Sequence, residues 1–133
     1  MSNAWSHLPN AHHIDWVLKS LEENPELWTA AWDADWSAAW YAARSAARNA
    51  AWSAARSAAR SAAWDAARSA SRSAARCSIE ALIAYDDCDN FLNMSYEKLK
   101  VWAVLSEDPK AVLLLPMVHV KEQLHEQCLV TSA

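Results

Sequence analysis

The sequence predicts an all-α protein, a compact bundle of about five to seven helices built around an alanine-rich repeat. Alanine, which has the highest helix propensity, occurs 29 times among the 133 residues. Glycine, which tight β-hairpins favour, is absent. The hydrophobic fraction of 53% is too high for a disordered chain, and the longest apolar run, 111–118, is far shorter than the roughly 20 residues of a membrane span. We therefore expect a single helical domain over 1–133.

The first element is an entry helix within 8–24. Pro9 or Asn10 marks its start, and apolar residues follow at helical spacing. A second helix start follows at Asn24, Pro25 and Glu26, which supply a cap, a proline at the first helical position and an acid at the positive end of the helix dipole.

A four-residue repeat fills the segment 25–76. Each unit holds a small polar residue, two alanines and then a tryptophan or an arginine. The fourth positions are Trp28, Trp32, Trp36, Trp40, Arg44, Arg48, Trp52, Arg56, Arg60, Trp64, Arg68, Arg72 and Arg76. We take these residues as the candidate surface for a partner or ligand.

The period of four determines where these side chains point. Each residue of an α-helix turns by about 100°, so a stripe at this spacing drifts by about 40° per unit and winds around the helix. One helix over 25–92 would be about 100 Å long, against a radius of gyration of about 14 Å for a globular chain of this size. We therefore expect at least two helices, with corners near Asn49 and within 69–73. A single long helix used in an oligomer is the main alternative.

Ordinary amphipathic helices follow in 77–133. The first of these helices reaches the aspartate-rich segment 86–89. Ser95 then caps a short helix that follows it in the sequence. Pro109 starts another helix, which Pro116 is expected to bend or end. The last helical segment is expected near 118–127.

Charge is divided unevenly along the chain. All seven arginines lie within 44–76, which carries +6, between two flanks that carry −5 each. Interleaved tryptophan and arginine suit stacking on bases and binding of phosphates, but the arginines could equally cover the tryptophans or pair with the acidic flanks. Four tryptophans with no arginine between them, the tryptophan ridge (Trp28, Trp32, Trp36 and Trp40), indicate either part of the core or a protein interface.

Several function classes are excluded or disfavoured. Dinucleotide fingerprints, P-loops, nucleophile elbows and EF-hand loops all need glycine. Cys88 lies among aspartates that disfavour its thiolate, and His119 with Glu122 lacks a third metal ligand nearby. We expect no enzyme activity, no cofactor and no metal. The odd set of Cys77, Cys88 and Cys128 predicts reduced thiols and a cytoplasmic location.

The chain resembles a group of small phage-encoded accessory proteins with such tetrapeptide repeats. The resemblance rests on LPNAHHIDWVL at 8–18, ENPELW at 23–28, ALIAYDDC at 81–88 and AVLLLP at 111–116, together with the repeat. Related repeats occur in proteins that resemble bacterial immunity proteins. The resemblance implies an accessory protein that counters host defence. Together with the missing catalytic motifs and the short apolar runs, it leads us to expect a non-catalytic interaction protein that binds and blocks a host defence component in the host cytoplasm, without contact with a membrane. The alternatives are a protein that sequesters a nucleotide signal or nucleic acid through the repeat, and a structural homo-oligomer.

Overall fold

The fold is an all-helical bundle. The computed structural model describes residues 4–35, 39–67 and 72–132, with side chains for 4–34, 39–67 and 73–127. These parts of the chain form eight helices, one more than the upper end of the predicted range. They are α1 (Ala11–Glu23), α2 (Pro25–Asp35), α3 (Ala39–Ala50), α4 (Ala54–Ala66), α5 (Arg72–Ala84), α6 (Asp89–Leu92), α7 (Tyr96–Ser106) and α8 (Pro109–Ser132).

The core is centred on α8 rather than on the repeat. Residues 111–118 of α8 are all buried, and this helix packs against α2, α3, α5, α6 and α7. Its most extensive partner is α5, where the Ser78 hydroxyl donates a buried hydrogen bond of 3.0 Å to the Leu113 carbonyl. The large aliphatic side chains of α5 and α8 supply the hydrophobic volume that alanines lack, so the repeat helices lie around them.

The repeat is divided into separate helices. The helix α3 ends at Ala50, and Ser53 caps α4 by accepting a hydrogen bond of 3.3 Å from the Arg56 backbone amide. This break lies just after the predicted corner at Asn49. The helix α4 ends at Ala66 and α5 begins at Arg72; most of the predicted corner at 69–73 lies outside the described residues. The expectation of at least two helices in the repeat is confirmed.

Three helix starts predicted from local sequence signals coincide with helix starts in the structure. Pro25 is the first residue of α2 and Pro109 the first residue of α8. Ser95 caps α7, its hydroxyl accepting from the Lys98 amide at 3.3 Å. Asn10 precedes α1, but its side chain makes no capping bond there.

The Asn10 side chain instead joins α1 to the end of α5. Its Nδ2 donates to the carbonyl oxygens of Leu82 at 3.0 Å and Tyr85 at 2.7 Å. The Leu82 carbonyl belongs to the last turn of α5 and Tyr85 follows the last residue of that helix, where backbone acceptors lack intrahelical partners. The buried amide therefore stabilises a tertiary contact rather than its own helix.

Pro116 neither ends nor divides α8, contrary to the expectation of a separate segment over 118–127. The helix runs continuously from Pro109 to Ser132 with Pro116 inside it. Proline in a helix interior costs about 3 kcal/mol. Burial of the surrounding apolar residues on several helices offsets this cost.

Two of the three cysteines are described, and both are buried free thiols. Burial raises the pKa of Cys77 to about 12, and it does the same for Cys88. The side chain of Cys128 lies outside the described residues. No helix in the described ranges combines the length and apolarity that crossing a membrane requires.

Candidate functional site

Two of the three described members of the tryptophan ridge lie in the core. Trp28 and Trp40 are buried, and the Trp28 indole donates to the Ser20 hydroxyl at 3.1 Å. Trp32 is partly buried and packs edge-on against Trp40, with ring centroids 4.7 Å apart. Trp36 lies outside the described residues. Trp28 and Trp40 are therefore structural, which is a correction to their place in the candidate surface.

The arginines, in contrast, converge. Four guanidinium groups surround the Trp64 ring, with their Cζ atoms 4.9 to 6.0 Å from its centroid. We call this set the arginine cluster: Arg44, Arg48, Arg60 and Arg76. Its members come from α3, α4 and α5. A single straight helix would have separated them by the drift of about 40° per unit, so the breaks between the helices create the cluster.

A buried carboxylate orients three members of the cluster. The Glu80 side chain, on α5, is only 1% exposed. Its Oε2 accepts from Arg44 Nε at 3.0 Å, and its Oε1 lies 3.5 Å from Arg48 Nε and 3.8 Å from Arg60 Nη1. A buried carboxylate requires such partners, because desolvating an unpaired charge is costly.

The arginine cluster holds more positive than negative charge. Three guanidinium groups share the single charge of Glu80, which leaves two positive charges in excess within that set. Arg76 adds a further guanidinium group, which donates to the Trp64 carbonyl at 3.3 Å. The cluster is reachable from solvent, since the Arg48 side chain is 49% exposed. The arrangement suits an anion that accepts hydrogen bonds from several guanidinium groups at once.

Trp64 positions these cations through its ring. Cation–π contacts hold guanidinium groups close to an aromatic face and offset part of their mutual repulsion. Because the four guanidinium groups already surround the ring, we do not expect a ligand to stack a base on Trp64. The Trp64 Nε1 is buried and has no acceptor among the described residues.

Two other candidate residues, Arg56 and Trp52, lie outside the arginine cluster. Arg56 binds the end of α5, donating to the Ile83 carbonyl and to Asp86 Oδ1, the latter at 2.8 Å. Trp52, in the link between α3 and α4, is 82% exposed. Arg68 and the side chain of Arg72 lie outside the described residues.

Glu80 was not among the site residues predicted from the sequence, although the sequence contains a signal for it. Counting four residues beyond Arg76 reaches Glu80, so it continues the phase of the repeat by one unit. A carboxylate in the phase otherwise occupied by arginine and tryptophan is placed to contact them once the helices pack side by side.

The weaker candidates for metal ligands have other roles. Glu122 Oε1 accepts from the Tyr96 amide at 2.7 Å, and the ring of His119 stacks on that of Tyr96. His13 pairs with Asp89 at 2.9 Å, and burial lowers the pKa of His13. Within the described ranges, no three histidine, cysteine or acidic side chains come together in a group that could hold a metal ion.

No protein-family model, curated protein or solved structure matches the chain. A functional assignment therefore rests on the geometry of the arginine cluster.

Proposed function

We propose that this chain is a non-catalytic binding protein whose arginine cluster captures a phosphorylated ligand, with a nucleotide as the first candidate. The observation that carries the proposal is the convergence of Arg44, Arg48, Arg60 and Arg76 from three helices, with two charges in excess around Glu80. Phosphate oxygens match the fork geometry of guanidinium groups.

Preorganisation supports binding at this position. Glu80 and Trp64 already hold the guanidinium groups together, so a ligand does not have to order four long side chains. An arriving phosphate also relieves repulsion between groups that one carboxylate neutralises incompletely. Arg48, which is the most exposed member that pairs with Glu80, is the natural first contact.

The described thiols support a binding role rather than a catalytic one, because they are poorly suited to act as nucleophiles. Burial keeps both Cys77 and Cys88 protonated at neutral pH, with pKa values of about 12. Sequestering a nucleotide signal is one way in which an accessory protein of the phage type that the sequence resembles would block a host defence component. Capture of a protein through the tryptophan ridge is less favoured, since Trp28 and Trp40 are buried.

A thermal-shift screen followed by calorimetry tests the proposal. The probes are inorganic phosphate, pyrophosphate, ATP, adenosine and a short single-stranded oligonucleotide. We expect the phosphorylated probes to raise the unfolding temperature, adenosine to have no effect, and affinity to fall as salt rises, because charge contacts are screened. Stronger binding of the oligonucleotide than of ATP would identify nucleic acid as the ligand class.

Two arginine variants make the test specific. Arg48→Ala removes the most exposed of the three guanidinium groups on Glu80, and we expect it to reduce affinity by about tenfold or more. Arg56→Ala is the matched control, because Arg56 binds Ile83 and Asp86 instead of Trp64. The proposal fails if no phosphorylated probe binds, or if both variants bind as the unmodified chain does.

A further inference from the structure

Trp52 carries the most exposed indole among the tryptophans whose side chains the structure describes. It is 82% exposed, against 47% for Trp102. None of the aromatic or cation–π contacts of the described residues involves Trp52. Covering such a ring is favourable, because it removes apolar surface from water. The Trp52 indole is therefore free to stack on a planar group of a ligand.

The link that carries Trp52 is held on both sides by hydrogen bonds. The Ala51 amide donates to the Ala47 carbonyl at 2.9 Å, which continues the hydrogen-bond pattern of α3 by one residue. The Ser57 hydroxyl of α4 donates to the Ala51 carbonyl at 3.3 Å, and Ser53 caps α4. Because the backbone on either side of Trp52 is fixed, binding a ligand on its ring does not require the link to become ordered.

Trp52 lies close to the exposed part of the arginine cluster. Arg48 belongs to the last turn of α3, and Ala51 follows it by three residues in the same hydrogen-bonded turn. The Cα atoms of residues three apart in an α-helix are about 5 Å apart, and the next Cα atom is about 3.8 Å further. The Cα atoms of Arg48 and Trp52 are therefore no more than about 9 Å apart. Since the Arg48 side chain is 49% exposed, one nucleotide can place a phosphate on Arg48 and its base on Trp52.

The nearest arginine of α4 does not compete for the Trp52 ring. Arg56 follows Trp52 by four residues, but its guanidinium group donates to the Ile83 carbonyl and to Asp86 Oδ1. The same contact neutralises the Asp86 carboxylate, which would otherwise repel a phosphate. The two tryptophans therefore differ in role, since Trp64 holds the cations of the cluster and Trp52 carries none.

We propose that Trp52 is the base platform of the phosphate site, the surface on which an unpaired base stacks while its phosphates bind the arginine cluster. The ligand is then a nucleoside di- or triphosphate rather than an inorganic anion. Stacking there depends on the proposed function, because phosphate binding at the cluster brings the base to Trp52. Every base has a π face, so purine and pyrimidine nucleotides should both bind.

Calorimetric titrations with ATP and with inorganic tripolyphosphate separate the base from the phosphates. Tripolyphosphate is the phosphate chain of ATP without the adenosine, and it carries no less negative charge. Phosphate contacts alone would therefore bind the two probes equally or favour tripolyphosphate. We expect the unmodified chain to bind ATP at least about fivefold more tightly, because stacking of one base on an aromatic side chain contributes that much or more.

Variants of exposed tryptophans make the test specific. Trp52→Ala should lower the affinity for ATP by about fivefold or more and leave that for tripolyphosphate unchanged, which also shows that the variant is folded. Trp52→Phe should keep part of the preference for ATP, since it keeps an aromatic ring. Trp102→Ala is the matched control, because Trp102 is also exposed but lies on α7, and it should bind both probes as the unmodified chain does.

The outcomes distinguish the base platform from phosphate capture. If the unmodified chain binds ATP and tripolyphosphate equally, or if Trp52→Ala lowers the two affinities equally or lowers neither, the base platform is overturned and phosphate capture stands. If neither probe binds the unmodified chain, the proposed function is overturned, and the base platform with it.

Discussion

Replacing Glu80 by glutamine should destabilise the protein strongly, because among the described residues it removes the one carboxylate that pairs with Arg44, Arg48 and Arg60. Glutamine preserves the shape of the side chain, so the change isolates the charge. Removing one partner of a buried ion pair typically costs about 3–5 kcal/mol, since the other charge remains. The three arginine side chains are 28% to 49% exposed, and water therefore screens part of the repulsion. We expect a loss near the lower end, about 3 kcal/mol, or a fall of roughly 10 °C in the unfolding temperature.

Urea unfolding, followed by tryptophan fluorescence and circular dichroism, measures this change. Asp86→Asn is the matched control: Asp86 also pairs with an arginine, but its side chain is 58% exposed, so the loss should be about 0–1 kcal/mol. A Glu80→Gln variant no less stable than Asp86→Asn would refute the interpretation of Glu80 as the organising charge. Phosphate should stabilise Glu80→Gln more than it stabilises the unmodified chain, because an anion can replace the missing carboxylate. Equal stabilisation would count against an anion site in the cluster.

Three further predictions concern stability and use the same urea assay. Because folding raises the pKa of Cys77 and Cys88 from 9.0 to about 12, the unfolded state loses these protons first. The stability that they contribute is therefore complete below pH 9.0 and falls by up to about 1.4 kcal/mol per pH unit per thiol as the pH rises toward 12. Replacing both by alanine should flatten this alkaline decline, and an unchanged slope would contradict the assignment. Ser95→Ala should cost about 1 kcal/mol through loss of the α7 cap, whereas a neutral effect would show that the cap contributes nothing. Asn10→Asp cannot donate to the two carbonyl oxygens at the end of α5, so it should lower the free energy of unfolding by about 1–3 kcal/mol or more. Full stability would mean that water donates hydrogen bonds to those carbonyl oxygens equally well.

The sequence was sufficient to predict the helical class and several helix starts. Those signals are local: Pro25 and Pro109 suit a first helical position, and the Ser95 hydroxyl reaches an amide three residues ahead. The prediction of a bend or an end at Pro116 was wrong as to the end, because tertiary packing in α8 outweighs a local cost. A local signal therefore predicts a helix start better than a helix end inside a core.

The arrangement of the repeat could not be predicted in the same way. A period of four turns side chains gradually around a helix, so spacing alone does not say which tryptophans are buried. The exposure of each side chain depends on where the helices are interrupted. A new helix starts at the Ser53 cap, so the directions of the arginine side chains of α4 no longer follow from those of α3. The sequence thus identified the residues of the arginine cluster, while their convergence on Trp64 and Glu80 required the packing of three helices.

The position of the ligand is tested most directly by fluorine NMR of the protein labelled with 5-fluorotryptophan. The resonance of Trp64 is assigned with Trp64→Phe, and those of the exposed Trp52 and Trp102 with corresponding variants. On addition of pyrophosphate, we predict that the Trp64 resonance shifts in a saturable manner while those of Trp52 and Trp102 stay in place, because the arginine cluster surrounds only the Trp64 ring among these three. A Trp64 resonance that does not move, or that moves no more than the other two, would contradict the assignment of the cluster as the anion site.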